Sequence, residues 1–120
     1  MTNIDEQEIV TAELYEIENI PGKILGLPVL DKSARIIGIV RNLKLSFLPF
    51  KIELIIKGLD VEMPIDGDHI EQIGTVVRLS TKIKTLETIE VEDVSKLRRQ
   101  LKEEITAKVK TQNPTYTRGL

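Results

Sequence analysis

Residues 27–80 read LPVLDKSARIIGIVRNLKLSFLPFKIELIIKGLDVEMPIDGDHIEQIGTVVRLS, and this stretch decides the fold. From Ile37 the odd positions Ile37, Ile39, Leu43, Leu45 and Phe47 are apolar, interrupted by Arg41, while the even side runs to Asn42, Lys44 and Ser46. Ile52, Leu54 and Ile56 alternate with Lys51, Glu53 and Lys57. Leu59, Val61, Met63 and Ile65 then alternate with Asp60, Glu62, Pro64 and Asp66. Successive side chains of a strand point to opposite faces, so a period of two over this many segments marks half-buried strands. The stretch reads as five short strands separated by turns, with one helical turn before the last. Leu54 and Val61 are expected to face the core, and Lys51 the solvent.

Turn chemistry separates the segments. Pro21-Gly22 is a turn, because proline fixes φ and glycine accepts positive φ. Asp31-Lys32-Ser33-Ala34-Arg35, Leu48-Pro49-Phe50 and Gly58 end their strands in the same way. Gly38 lies inside a strand, where glycine marks a bulge, a bend or a close backbone approach. Asp66 to Gly74 is expected as a helical turn, capped by Asp66 or Asp68 and ended by Gly74. Residues 1–20 stay open between a helix through Val10, Leu14 and Ile17 and a first strand over Leu14 to Ile20. Thr81 to Glu92 is also open, with Ile83, Ile89 and Val91 on one parity. From Asp93 the period changes: Val94, Leu97, Leu101, Ile105 and Val109 form one helical face, and Asp93 or Ser95 is the expected N-cap. The domain plan is therefore an acidic segment 1–20, a strand-rich unit 21–92, an amphipathic helix 93–110 and a flexible tail 111–120.

A chain of 120 residues with 41% hydrophobic residues forms one domain that buries roughly two thirds of its unfolded surface. Only Tyr15, Phe47, Phe50 and Tyr116 are aromatic, so the core is aliphatic. The absence of cysteine excludes disulfides and thiolate zinc sites. An acidic N-terminus lacks the basic start of a signal peptide, and the longest apolar run, Ile36 to Val40, cannot span a bilayer. A soluble cytoplasmic protein is the expectation. The net charge of −2 is unevenly spread: residues 1–22 hold acids and no base, and residues 93–120 hold mostly bases. Such ends can attract each other within or between chains, with salt screening exposed pairs.

Residues for chemistry are scarce. His69 is the only histidine, and no nucleophile motif accompanies it. Asp66-Gly67-Asp68-His69-Ile70-Glu71 fails the calcium-loop spacing, since glycine and glutamate fall at the wrong positions. The glycines form neither a dinucleotide fingerprint nor a phosphate loop. Catalytic, cofactor-binding and metal residues are therefore none, and no small-molecule substrate is expected. The helix lacks the aromatics of a membrane-surface helix and has no face made only of bases, so neither membrane insertion nor nucleic acid is expected. Ile36, Val40, Ile55 and Val76 sit on the parity that a solvent-facing surface would fill with polar residues. Either these strands are covered on both sides or the four form a protein interface, most simply of a two-fold homodimer.

The order Leu27-x-Val29-x-Asp31, Ile37-Gly38-x-Val40, an apolar hairpin, Met63-Pro64, Ile70-x-x-Ile73-Gly74 and Val76-Val77-x-Leu79 resembles the PRC-barrel family. Residues 32–35 depart from the Asp-Gly type of turn usual there. The resemblance covers about half the chain and implies a small antiparallel β-barrel, closed or partly open, with the C-terminal helix appended. In length and basic helix the chain resembles the small stand-alone archaeal members of the CdpB type. What that implies is a non-catalytic protein-binding adaptor of the cell-division machinery, recruited to the division site. Its partners would be SepF- or FtsZ-type proteins or a second PRC-barrel protein. The alternative that the family implies is a ribosome-associated maturation factor binding a ribosomal protein or RNA.

Overall fold

The computed structural model describes residues 10–16 and 20–111. Its spine is β3 (Ile36–Phe47), whose length exceeds that of any other strand. One edge of β3 pairs antiparallel with β4 (Lys51–Lys57). The other edge is shared end to end by β2 (Pro28–Leu30) at its start and β1 (Val10–Leu14) at its end. Beyond β4 lies β5 (Glu62–Asp66); beyond β2 lie β7 (Val77–Leu79) and then β6 (Ile70–Ile73). The open residues 10–14 are thus a strand, and it belongs to the sheet rather than to a separate acidic segment. Ile17 lies outside the described residues.

The sheet is seven-stranded and mixed, in the order β5-β4-β3-β2-β7-β6 with β1 beside β3. Closure was one of the two forms expected, and strand direction is the expectation that changes. Among the described residues β5 and β6 end the path without a ladder between them, so the sheet is not a closed barrel. Nor is it wholly antiparallel, because β2 and β7 run parallel. Parallel neighbours need a long connection, and β3 to β6 supply it.

A bulge explains the broken alternation at Arg41. Val40 faces Ile56 and Asn42 faces Ile55, so Arg41 has no partner on β4. The extra residue shifts the phase: Val40 and Leu43, opposite Ile56 and Leu54, come to share a face, where strict alternation would separate them. Before the bulge both faces are covered, and Ile37, Ile39 and Val40 have no exposure at all. A Cβ at Gly38 would collide with the Lys57 carbonyl oxygen and come within 2.8 Å of Ile56 Cγ2. Glycine is there because β4 lies against it.

The last third of the chain closes the core. Ile83, Leu86 and Ile89 are buried at every third position of an irregular linker, and the Ile89 N–H donates to the Ile36 carbonyl. Helix α1 (Val91–Thr111) starts two residues before the expected Asp93. The Asp93 carboxylate reaches back to the Glu90 N–H at 2.8 Å, so it caps from inside the first turn. Val94, Leu97, Leu101 and Ile105 are buried as the spacing requires, while the side chain of Val109 and residues 112–120 lie outside the description.

Two turns depart from expectation. Only Gly67–His69 is helical, as a 3-10 turn with Asp66 accepting from the Asp68 N–H. Ile70–Ile73 is a strand, and Gly74 belongs to the β6–β7 turn instead of ending a helix. Residues 27–80 therefore hold six strands, not five. Leu59 and Val61 are exposed because β5 begins only at Glu62, which overturns the inward placement of Val61; Leu54 is buried as expected.

Candidate functional site

The most exposed apolar surface is the β3–β4 hairpin tip. Phe47, Leu48, Phe50 and Ile52 all stand open to solvent, and Val10 of β1, paired with Phe47, extends the patch. The Phe47 and Phe50 rings meet at 5.7 Å between centroids, tilted by 51°, which fixes their directions. Leu48 is 68% exposed and adopts φ +65°. That left-handed region favours glycine or asparagine and penalises a leucine. Within Phe47–Ile52 the only charge is Lys51, which lies 3.5 Å from Glu53 on its own strand. A shallow depression of about 540 Å³ flanks the tip, between Phe50, Ile52 and the Asp66–Asp68 turn.

Away from the tip the polar side chains satisfy one another. The bulge re-aims Arg41, whose Nη1 donates to the Tyr15 hydroxyl at 2.9 Å and to Asn42 Oδ1 at 2.8 Å. Arg41 Nε lies 2.9 Å from Glu62 Oε2, off the line of a hydrogen bond. Buried Asn42 donates to Glu13 Oε2 at 3.0 Å, and Lys108 Nζ donates to the Tyr15 hydroxyl at 3.1 Å from above its ring. Lys57 and Glu104 pair at 2.8 Å. Burial disfavours the Arg41 charge, but Tyr15, Glu62 and Glu104 more than offset it, so its pKa rises. Three cations and three carboxylates thus balance across β1, β3, β4, β5 and α1. The acidic start and the basic helix meet within one chain, through Glu13 and Lys108 at 4.0 Å. This network fastens the helix to the sheet.

Two carboxylates play similar structural parts. Asp31 has no exposure and accepts from Arg35 Nη2 at 2.8 Å, Arg35 Nε at 3.0 Å and the Ser33 N–H at 2.9 Å. Arg35 in turn donates to the Ile83 and Leu86 carbonyls, tying the β2–β3 turn to the linker. Burial pushes the Asp31 pKa up, yet these donors outweigh it and hold the carboxyl below its ordinary value. Glu16 behaves alike: burial raises its pKa, but the Leu25, Ile24 and Lys23 N–H groups together lower it further.

Among the described residues no cluster of three metal-ligating side chains occurs, and no helix is long and apolar enough to cross a membrane. His69 is exposed, and its carbonyl accepts from Ser80. The four expected interface residues do not form an exposed surface. Val40 is enclosed in the core, and Ile36, Ile55 and Val76 are half-buried. For Val40 the cause is the double coverage at the start of β3, one of the two readings its parity allowed. The tip was the feature missed. Its signal was present as two of the chain's few aromatics flanking a Leu-Pro turn, where polar residues are usual. Comparison with protein-family models, with curated proteins and with solved structures finds no match to the chain.

Proposed function

We propose that the chain is a non-catalytic adaptor that holds a partner protein through the Phe47–Ile52 tip. Leu48 carries this reading: a solvent-exposed leucine in a left-handed backbone position serves neither burial nor turn formation. Contiguous exposed apolar residues at a rigid hairpin end fit the central patch of a protein interface. The self-balanced polar networks elsewhere leave recognition to this surface. The PRC-type architecture and the cell-division setting rest on the sequence resemblance, which makes SepF- and FtsZ-type proteins the first partners to try. Purified chain immobilised against each should bind one of them, and Phe50→Ser should weaken that binding at least tenfold with an unchanged circular dichroism spectrum. Binding indifferent to Phe50 would move the site off the tip. No binding to either protein would remove the division setting.

A further inference from the structure

We infer that the partner of the tip is a second copy of this chain, received head to tail in a socket at the far end of β4. The inference rests on the tip being a protein-binding surface, as proposed above, and adds its occupant. β4 enters from the tip at Lys51 and leaves at Lys57 into the turn Gly58–Val61. Seven residues of strand separate the two turns by roughly 23 Å, so one chain cannot join its own tip to its own socket.

The socket is a cavity of about 180 Å³. Its floor is Ile37, Leu86 and Ile89, and its walls are Leu59 and Val61, the latter 50% exposed. Unlike an enclosed apolar cavity of about 150 Å³ that holds benzene, this one opens to solvent and carries Asp60, Thr85 and Glu87 on its walls, so it has room for one phenyl ring with its edge left among polar groups. Phe50, 64% exposed at the end of the hairpin, is the ring that the chain itself presents. Charge agrees with the fit. Asp60 and Glu87 line the socket, no base does, and Lys51 follows Phe50 directly. The Lys51–Glu53 contact is long at 3.5 Å and its lysine end is about half exposed, which leaves Lys51 able to turn and pair across the interface.

A knob on one end and a socket on the other make a heterologous contact. Such contacts generate open chains or rings, whereas a patch that pairs with itself stops at a dimer. Leu48 and Phe47 would cover the socket rim around the inserted ring.

Sedimentation velocity of the full chain over a range of concentrations tests this. Phe50→Asp destroys the knob and keeps the socket; Val61→Asp does the reverse, with Leu59→Asp as a second socket variant should the first lose its circular dichroism spectrum. Unmodified chain should form species larger than two copies as concentration rises. Each variant alone should be a monomer, and an equimolar mixture of a knob and a socket variant should form a one-to-one complex that grows no further. Lys51→Glu should weaken assembly at least tenfold, and Asp60→Lys in the mixed partner should restore it. Three results would overturn the inference: a mixture that stays monomeric, a socket variant that still dimerises alone through paired tips, or unmodified chain that never associates. If the chain never associates but Phe50 variants still lose a different protein, the adaptor reading stands and only the self-assembly falls.

Discussion

The two halves of β3 differ in sequence and in fate: Ile36–Val40 is apolar throughout, whereas Leu43–Phe47 alternates with Lys44 and Ser46. Ile36–Val40 is flanked by β2 and β4, lies beside the linker through the Ile89–Ile36 hydrogen bond, and is buried on both faces from Ile37 to Val40. Leu43–Phe47 is flanked by β1 and β4, becomes progressively less buried, and ends in the open tip. Arg41, at the bulge, divides them. Burial here is decided by what the rest of the chain lays over each half. The covered half builds the core, and the free half ends in the exposed tip.

The sharpest way to break this comparison is to cut equivalent side chains on β4. Ile56 lies opposite Val40 in the covered half and Ile52 opposite Leu45 in the free half. Ile56→Ala should cost about 2–5 kcal/mol from lost transfer and cavity terms, and Ile52→Ala about 1 kcal/mol or less. Urea denaturation measures both. Equal losses would mean that the free half is covered as fully as the other, since both side chains share one face of β4 and only their coverage differs.

Next in size is the clamp that holds the linker over the covered half. Asp31→Asn should cost about 2–3 kcal/mol, because Arg35 keeps its charge against a half-buried site and loses its carboxylate. The cost should be smaller than for Ile56→Ala, as Arg35 retains the Ile83 and Leu86 carbonyls. A loss under about 0.5 kcal/mol would mean that the linker is held by Ile83, Leu86 and Ile89 alone.

Acid should act through the same carboxylates. Asp31 and Glu16 have folded pKa values below their ordinary ones, so each binds a proton less readily folded than unfolded. Their contribution is complete above the ordinary carboxylate range of about 4, and is lost as pH falls through the lowered folded values. Denaturation midpoints should hold level from about pH 7 to 5 and decline below about pH 4. In Asp31→Asn the decline should be shallower; an identical slope would assign the acid sensitivity to Glu16 or to other groups.

Much of the covered half was legible in the sequence. The alternation through Leu54 and Ile56, the glycine at 38 and the stripe Val94, Leu97, Leu101 and Ile105 each follow from a local period or a steric demand, and all are where they should be. Non-local facts were not legible. That β7 pairs parallel with β2, and that Asp31 and Arg35 grip a linker some fifty residues on, depend on contacts no period records. Val61 was misjudged because its parity fits a strand that begins one residue later. The parity of Ile36, Val40, Ile55 and Val76 left two readings open because wrong-parity apolar residues look the same whether the chain itself or another molecule covers them; only Val40 is fully enclosed by its own chain. At the tip the warning was compositional, and a turn rule alone passes over it.

The smallest effect is the most discriminating for the free half. Leu48 sits at φ +65°, where a β-carbon crowds the backbone and an asparagine is tolerated far better. The side chain is mostly in water, so its removal forfeits little burial. Relief of strain should therefore outweigh lost contact, and Leu48→Asn should raise stability by about 0.5 kcal/mol while reducing self-association. The same change made in the core, as Leu79→Asn in β7, should instead destabilise severely, because Leu79 has no exposure. A substitution that strengthens the fold and weakens binding separates what the hairpin needs for folding from what its surface is for. Urea midpoints and sedimentation on one preparation of Leu48→Asn measure the two quantities side by side. A loss of stability beyond about 1 kcal/mol would place Leu48 among the residues that hold the hairpin together.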